Sequence, residues 1–264
     1  MMTAIDPTSD SPADVILRHC IESLTDVLSI TSPANMARVE RISRVAAALG
    51  ARCGVSRPHH LARLAFASQL GTLSLPETIA LKMHHGHLLT DEERRMMRGI
   101  QDLGGQLLAR IPGLEADSEV LRLHNVHAVP DGPLPLESAV LRVAIAYDRL
   151  EAGGKTRQDA VDVLRSRDPM YDSEVLDVLE AYGPASLIDK LERAVSVSDL
   201  VPRMVLTRDI TSTDGSLLLG TGHELSEVII ERLRTYADRR IIRQTVLVAA
   251  LDNDPATDND PLPG

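Results

Sequence analysis

The segment LAFASQLGTLSLP, residues 64–76, decides the fold class: it ends one apolar helix and stops at a proline. On both sides of it, apolar residues recur at helical spacing, as in residues 15–28 and 140–150, and Gly or Pro interrupts each run. The pattern predicts a mainly α fold, a helical body over residues 13–193. The approximate helical spans are 12–30, 33–53, 58–70, 76–82, 91–109, 115–127, 136–152, 156–166 and 172–182.

The composition favours the same fold class. Hydrophobic residues make up 44% of the chain and charged residues 25%, as in an ordinary soluble protein. Aromatic residues make up only 2%, with Phe66 as the single phenylalanine and no tryptophan. The core is therefore built from aliphatic side chains, which suit helix packing better than a sheet sandwich. Thr90, followed by Asp91, Glu92 and Glu93, predicts a capped helix start with acids at the positive end of the helix dipole.

The pattern changes after Ser196. Residues 204–210 and 216–219 are prone to β structure and flank Asp214-Gly215, which is a strong hairpin signal. A short helix over 226–236 follows. We therefore predict a small β-hairpin-plus-helix module over residues 197–250, with disordered polar tails at 1–12 and 251–264.

Charge and hydropathy exclude several classes of partner. The formal net charge is −10, which argues against nucleic acid and anionic membranes as partners. No apolar run approaches about 18 residues, and the first residues lack the features of a signal peptide, so a cytoplasmic location is expected. Cys20 and Cys53 are too few for a zinc framework and are expected to be small core residues. Arg94, Arg95 and Arg98 are expected to form a solvated helix face.

Six short stretches carry a family resemblance: residues 35–39, 64–76, 89–93, 101–104, 131–132 and 147–150. In order and spacing, the region from about 19 to 182 resembles the HD-GYP branch of the HD-domain phosphohydrolases. That resemblance implies a helical bundle that hydrolyses cyclic di-GMP with two or three iron- or manganese-type ions.

The resemblance also implies that the metal-binding side chains are missing. At the positions where the family has its ligands and its motif lysine, the sequence has Asn35, Ser68, Gln69, Thr72, Gln101 and Ile145. The His-His-Glu motif aligns only with a shift of one residue, at His124 and Asn125. Amides, hydroxyls and alkyl groups bind such ions far more weakly than imidazole and carboxylate do. We therefore expect no catalytic residue, no metal and no cofactor at these eight positions.

The Ser68-Gln69-Leu70-Gly71 stretch is also similar to a degenerate branch with Ser-Gln-x-Gly, which usually follows a receiver domain in bacterial response regulators. Residues 200–233 look like the small module often appended there. Only about a dozen residues precede the first predicted helix, so control by a receiver within this chain is not expected.

Several individual residues allow both a structural and a functional interpretation. His124 and His127 could share a helix face and hold zinc, but the nine histidines are better explained as surface or capping residues. An N-cap or an inter-helix hydrogen bond is expected for Asp148. Ser68, Gln69 and Gln101 are expected to satisfy one another by hydrogen bonds in the old metal cavity.

Three functions follow from this sequence. The first is a catalytically inactive signalling module that contacts a diguanylate cyclase, a receiver or a kinase. The second is a sensor that binds a cyclic dinucleotide through Arg38, Arg122 or Arg142. The third is a metal-dependent phosphodiesterase with an unconventional site. The apolar stripe of the first helix is compatible with a homodimer.

Overall fold

The computed structural model describes residues 12–100, 102–124, 134–167, 169–182 and 192–249. The chain divides into two units, a helical unit within residues 1–184 and a C-terminal unit within residues 185–264. The domain limits given above remain predictions. Both tails named above lie outside the described residues, except that Pro12 begins the first helix.

The helical unit contains ten α-helices among its described residues and a short 3-10 turn at Leu70–Ser74. The helices are α1 (Pro12–Thr31), α2 (Pro33–Cys53), α3 (Pro58–Ser68), α4 (Glu77–His84), α5 (Asp91–Ile100), α6 (Leu103–Leu108), α7 (Glu115–His124), α8 (Leu136–Ala152), α9 (Arg157–Arg165) and α10 (Ser173–Tyr182).

Helix α2 lies at the centre of this unit and packs against α1, α3, α4, α8 and α10. Ile42, Ala46 and Leu49 are completely buried on its inner face, at the spacing of one helical stripe. Proline at the first turn starts the helix, where the missing N–H costs nothing, and Gly54 ends it in the left-handed conformation at φ 84°. The position of α2 matters because it carries two arginines and an asparagine of the candidate site.

Helix α5 begins with the predicted cap. The Thr90 N–H donates to Glu93 Oε2 (2.7 Å), and the Glu93 N–H donates to Thr90 Oγ1 (3.2 Å), which is a reciprocal capping box. The single helix predicted over 91–109 is wrong, because α5 ends at Ile100 and α6 begins at Leu103. The break lets Gly104 approach α3 so closely that a Cβ atom there would lie 2.0 Å from the Ala67 carbonyl oxygen.

The C-terminal unit contains β1 (Glu192–Ser196), β2 (Ile210–Thr211), β3 (Leu217–Leu219), α11 (Glu227–Asp238) and β4 (Thr245–Ala249). Strands β2 and β3 form the predicted antiparallel hairpin, and α11 is the predicted helix. Strands β1 and β4 pair antiparallel, with Glu192 opposite Ala249. The sequence pattern did not predict this pair of strands. The prediction of a mainly α fold with a small C-terminal β appendage is confirmed.

The surface of α1 departs from one expectation. Cys20 is exposed rather than a core residue, whereas Cys53 is partly buried against the core. Ile16, Leu24 and Val27 are also exposed on α1. Self-association through this helix stays a prediction. None of the described helices is both long enough and apolar enough to cross a membrane.

Candidate functional site

Four of the positions at which the resemblance implies metal ligands or the motif lysine are buried together where α2 meets the end of α3. Asn35 lies on α2, Ser68 is the last residue of α3, Gln69 follows it, and Thr72 lies in the 3-10 turn. Each exposes 6% of its surface or less.

Hydrogen bonds join these four residues. Asn35 Nδ2 donates to the Thr72 carbonyl oxygen (3.1 Å) and to Ser32 Oγ (2.9 Å). Gln69 Nε2 donates to Ser68 Oγ (2.8 Å), and Ser68 Oγ donates to the Ala65 carbonyl oxygen (2.7 Å). Each buried donor therefore has an acceptor from the protein itself, as burial requires.

A buried ion pair completes this arrangement. Arg38 on α2 donates from Nη1 to Gln69 Oε1, and its Nε lies 3.2 Å from Asp148 Oδ2 on α8. That second contact has the distance of an ion pair without the alignment of a hydrogen bond. Arg41 Nε donates to Asp148 Oδ1 at 2.8 Å. Burial lowers the pKa of Arg38, and the Asp148 carboxylate opposes part of that shift.

We call Asn35, Arg38, Arg41, Ser68, Gln69, Thr72 and Asp148 the closed network. Its members come from α2, the end of α3, the 3-10 turn and α8. The inter-helix contact expected for Asp148 is thus present as two ion pairs. The expected contact of Ser68 with Gln69 is also present, whereas Gln101 lies outside the described residues.

The remaining predicted positions lie beside the network. His124 is the last residue of α7 and is buried, and Ile145 is partly buried on α8. Both line a cavity that Arg38 also lines, so Arg38 connects them to the closed network. Asn125 and His127 lie outside the described residues.

The cavity has a volume of about 300 Å³. Five arginines contribute to its wall, and no acidic residue appears among the described residues that line it. We call it the arginine cavity. It is lined by Arg38, Met83, Gly86, His87, Leu89, Arg94, Met97, Arg98, His124, Arg142, Ile145, Ala146, Arg149, Met170 and Tyr171.

Two helices supply most of the cationic wall. Arg142, Ile145, Ala146 and Arg149 lie on one face of α8 because they follow the i, i+3, i+4, i+7 spacing. Arg94, Met97 and Arg98 share a face of α5 in the same way. The spacing places positive charge and apolar surface next to each other on the cavity wall.

Arg142 holds the end of α7 in place. Its Nε donates to the His124 carbonyl oxygen (3.2 Å), and its Nη2 donates to the Leu123 carbonyl oxygen (3.0 Å). A cation at a helix C-terminus is favourable there because the last carbonyls carry partial negative charge. Burial, more than any other cause, lowers the pKa of the adjacent His124 imidazole to about 4. His124 is therefore neutral at pH 7.

The sequence predicted the arginine cavity only in part: of the three arginines named as nucleotide contacts, Arg38 and Arg142 line it. Arg94 and Arg98 were expected to be solvated, and although both are exposed they also line the cavity. Arg122 was named as a nucleotide contact, yet it pairs with Glu119 and does not line the cavity. The signal in the sequence was the spacing of Arg94, Met97 and Arg98, which places all three on one face of α5.

The expectation of a surface position is wrong for His60, His84, His124 and His223, which are buried. His60 Nε2 lies 2.9 Å from Asp117 Oδ1, and His84 Nδ1 lies 3.1 Å from Arg41 Nη1. A core hydrogen-bond partner thus accounts for His60 and His84 without a metal.

The donor set does not fit the metal ions that the HD-GYP resemblance implies. Within the described part of the helical unit, no three His, Cys, Asp or Glu side chains lie close enough together to share an ion. Asn35 Oδ1 is buried and has no hydrogen-bond partner among the described residues, but one amide oxygen is a weak ligand. The closed network instead places the Arg38 cation against Gln69, at a position where the resemblance implies a metal ligand.

A family model described as HD domain matches residues 22–175, which is more than half of the chain and spans every predicted site position from Asn35 to Ile145. No curated protein and no solved structure matches the chain.

Proposed function

The chain belongs to the HD domain family, and from that premise we propose that it is a non-catalytic, degenerate HD-GYP-like module. It acts in the cytoplasm by contact with a protein of cyclic-dinucleotide or two-component signalling. The observation that carries the proposal is the closed network, because it occupies the ligand positions with side chains that bind one another.

Electrostatics supports the loss of metal. A divalent cation placed at Gln69 would lie next to the Arg38 guanidinium, which donates to the Gln69 side chain. Two cations at such short range repel each other strongly in a buried site. Asp148 offsets only part of this repulsion, since its single negative charge is shared between Arg38 and Arg41. The protein therefore supplies the positive charge that an ion would bring.

The test is turnover of cyclic di-GMP by the purified chain with Mn²⁺ or Fe²⁺, followed by chromatography of the products. We expect no product above that of a reaction without protein. Turnover that Gln69→Ala abolishes, and that the exposed control Gln158→Ala retains, would overturn the proposal.

The partner is a diguanylate cyclase, a receiver or a kinase. This part of the proposal rests on the similarity of Ser68-Gln69-Leu70-Gly71 to the branch found in response regulators. Size-exclusion chromatography with one purified member of each class tests it. Co-elution with a member of any one class supports a docking role, and separate elution from all three argues against it.

Nucleotide sensing is a second candidate, and the arginine cavity favours it. Five arginines line a space of about 300 Å³ without an acidic residue among its described lining. A sensor needs a ligand site and no chemistry, so this function is compatible with the closed network.

A further inference from the structure

The positive charge of the arginine cavity comes from its five arginines, which differ in their exposure and in their neighbours. Arg98 and Arg149 are exposed at its wall, and Arg142 is fixed by the carbonyl oxygens of Leu123, His124 and Met170. Arg94 has a carboxylate neighbour, since its Nη2 lies 2.6 Å from Asp91 Oδ1. Arg38 likewise faces Asp148. Positive charge therefore exceeds negative charge around the cavity.

Guanidinium groups select the class of ligand. Arginine binds phosphate and carboxylate oxygens with two parallel N–H donors. A phosphate monoester carries a charge of about −1.5 to −2 at pH 7, so it can engage two arginines at once, whereas a single carboxylate carries only one negative charge. Arg98 on α5 and Arg149 on α8 approach the cavity from two different helices. A dianionic group matches that arrangement best.

The remaining wall selects the body of the ligand. Met83, Met97, Met170, Ile145 and Tyr171 provide apolar and aromatic surface. Methionine adapts to flat ring systems because its thioether is flexible and polarisable. The volume of about 300 Å³ is at the lower end of the range of small-molecule sites, about 300–1,000 Å³. The cavity therefore suits one small organic body better than a dinucleotide.

We propose that the arginine cavity binds a small organic phosphate monoester of mononucleotide size without a metal ion. The phosphate lies against Arg98 and Arg149, with Arg142 as a fixed positive charge, and the organic body packs on the methionines. The inference rests on the proposed function in one respect: no metal ion shares the cavity.

Isothermal titration calorimetry of the full chain in EDTA tests the proposal. The probes are 5′-GMP and 5′-AMP, with guanosine to remove the phosphate, succinate to replace it by carboxylates, and cyclic di-GMP to enlarge the ligand. We expect a mononucleotide to bind, guanosine and succinate to bind at least tenfold more weakly, and cyclic di-GMP to bind more weakly than the mononucleotide.

A pair of matched double variants locates the site. Arg98→Ala with Arg149→Ala removes two cavity arginines, and Arg95→Ala with Arg157→Ala removes two exposed arginines that do not line the cavity. Both change the net charge equally. Loss of charged hydrogen bonds predicts that the first variant binds about tenfold to hundredfold more weakly, while the second stays within about twofold.

Several results would overturn the proposal. They are absence of mononucleotide binding at millimolar concentration, equal binding of guanosine, equal or tighter binding of succinate or cyclic di-GMP, and equal weakening by the two double variants. The first three need only the unaltered protein. Binding that appears only with Mn²⁺ and is followed by turnover would defeat the proposed function as well, whereas absence of binding without turnover defeats this inference alone.

Discussion

The closed network and the arginine cavity are neighbouring polar regions of one helical unit, and they share Arg38. In the closed network the arginines face a carboxylate and an amide within the protein. In the arginine cavity, arginines of α5 and α8 line open space. The difference teaches that the polar side chains of the closed network bind one another, whereas Arg94, Arg98 and Arg149 stay exposed at the wall of the arginine cavity.

The largest expected effect on the free energy of unfolding comes from a substitution that breaks the closed network. Asp148→Ala would leave the buried Arg38 and the partly buried Arg41 without the carboxylate that they share. Removal of one partner of a buried ion pair costs about 3–5 kcal/mol. Urea unfolding at pH 7, followed by circular dichroism, measures the loss.

Arg165→Ala is the control for this prediction. It removes a surface ion pair with Asp177 and Glu180 and should cost about 1 kcal/mol or less. If Asp148→Ala costs no more than Arg165→Ala, the closed network does not stabilise the fold.

A pH effect of intermediate size comes from His124 at the edge of the arginine cavity. Its pKa is about 4 in the fold and near 6.5 in the unfolded chain. Because the fold favours the neutral imidazole, this contribution to stability is complete above the unfolded pKa and is lost as the pH falls towards 4. Between pH 7 and pH 5 the loss is about 2 kcal/mol.

Comparison with His124→Gln isolates the effect, because the variant keeps a polar side chain that does not titrate. The free energy of unfolding should fall by about 2 kcal/mol more in the unaltered protein than in the variant over this pH range. Equal falls in the two proteins would show that His124 is solvated in solution.

The smallest expected effect on the free energy of unfolding comes from the arginine cavity. Arg98→Ala with Arg149→Ala removes exposed side chains, so the free energy of unfolding should change by about 0.5 kcal/mol or less. Urea unfolding in the absence of nucleotide measures it. A loss of several kcal/mol would mean that these arginines hold the fold together and that the two regions do not differ in role.

Local signals made much of the fold predictable. The proline and glycine boundaries of α2 and the capping box at Thr90 act within a few residues of chain. Pairing of β1 with β4 was not predicted, because it joins Glu192 to Ala249 and has no local turn signal. The break between α5 and α6 was not predicted, because the close approach of Gly104 to Ala67 that accompanies it joins residues far apart in the chain.

The candidate site was predictable in its residue types and not in its contacts. The family pattern picked out Asn35, Ser68 and Gln69 as positions without metal ligands. The ion pair of Arg41 with Asp148 joins residues 107 positions apart, so no local sequence pattern predicts it. The arginine cavity required the faces of α5 and α8 to meet, which sequence spacing within each helix does not reveal.

The most direct test is the metal content of the protein. The chain is purified without chelator from cells supplied with iron and manganese, and inductively coupled plasma mass spectrometry counts the ions per chain. We predict far less than one iron or manganese ion per chain, with no change in Asn35→Ala or Gln69→Ala. One or more ions per chain, lost in those variants, would contradict this prediction.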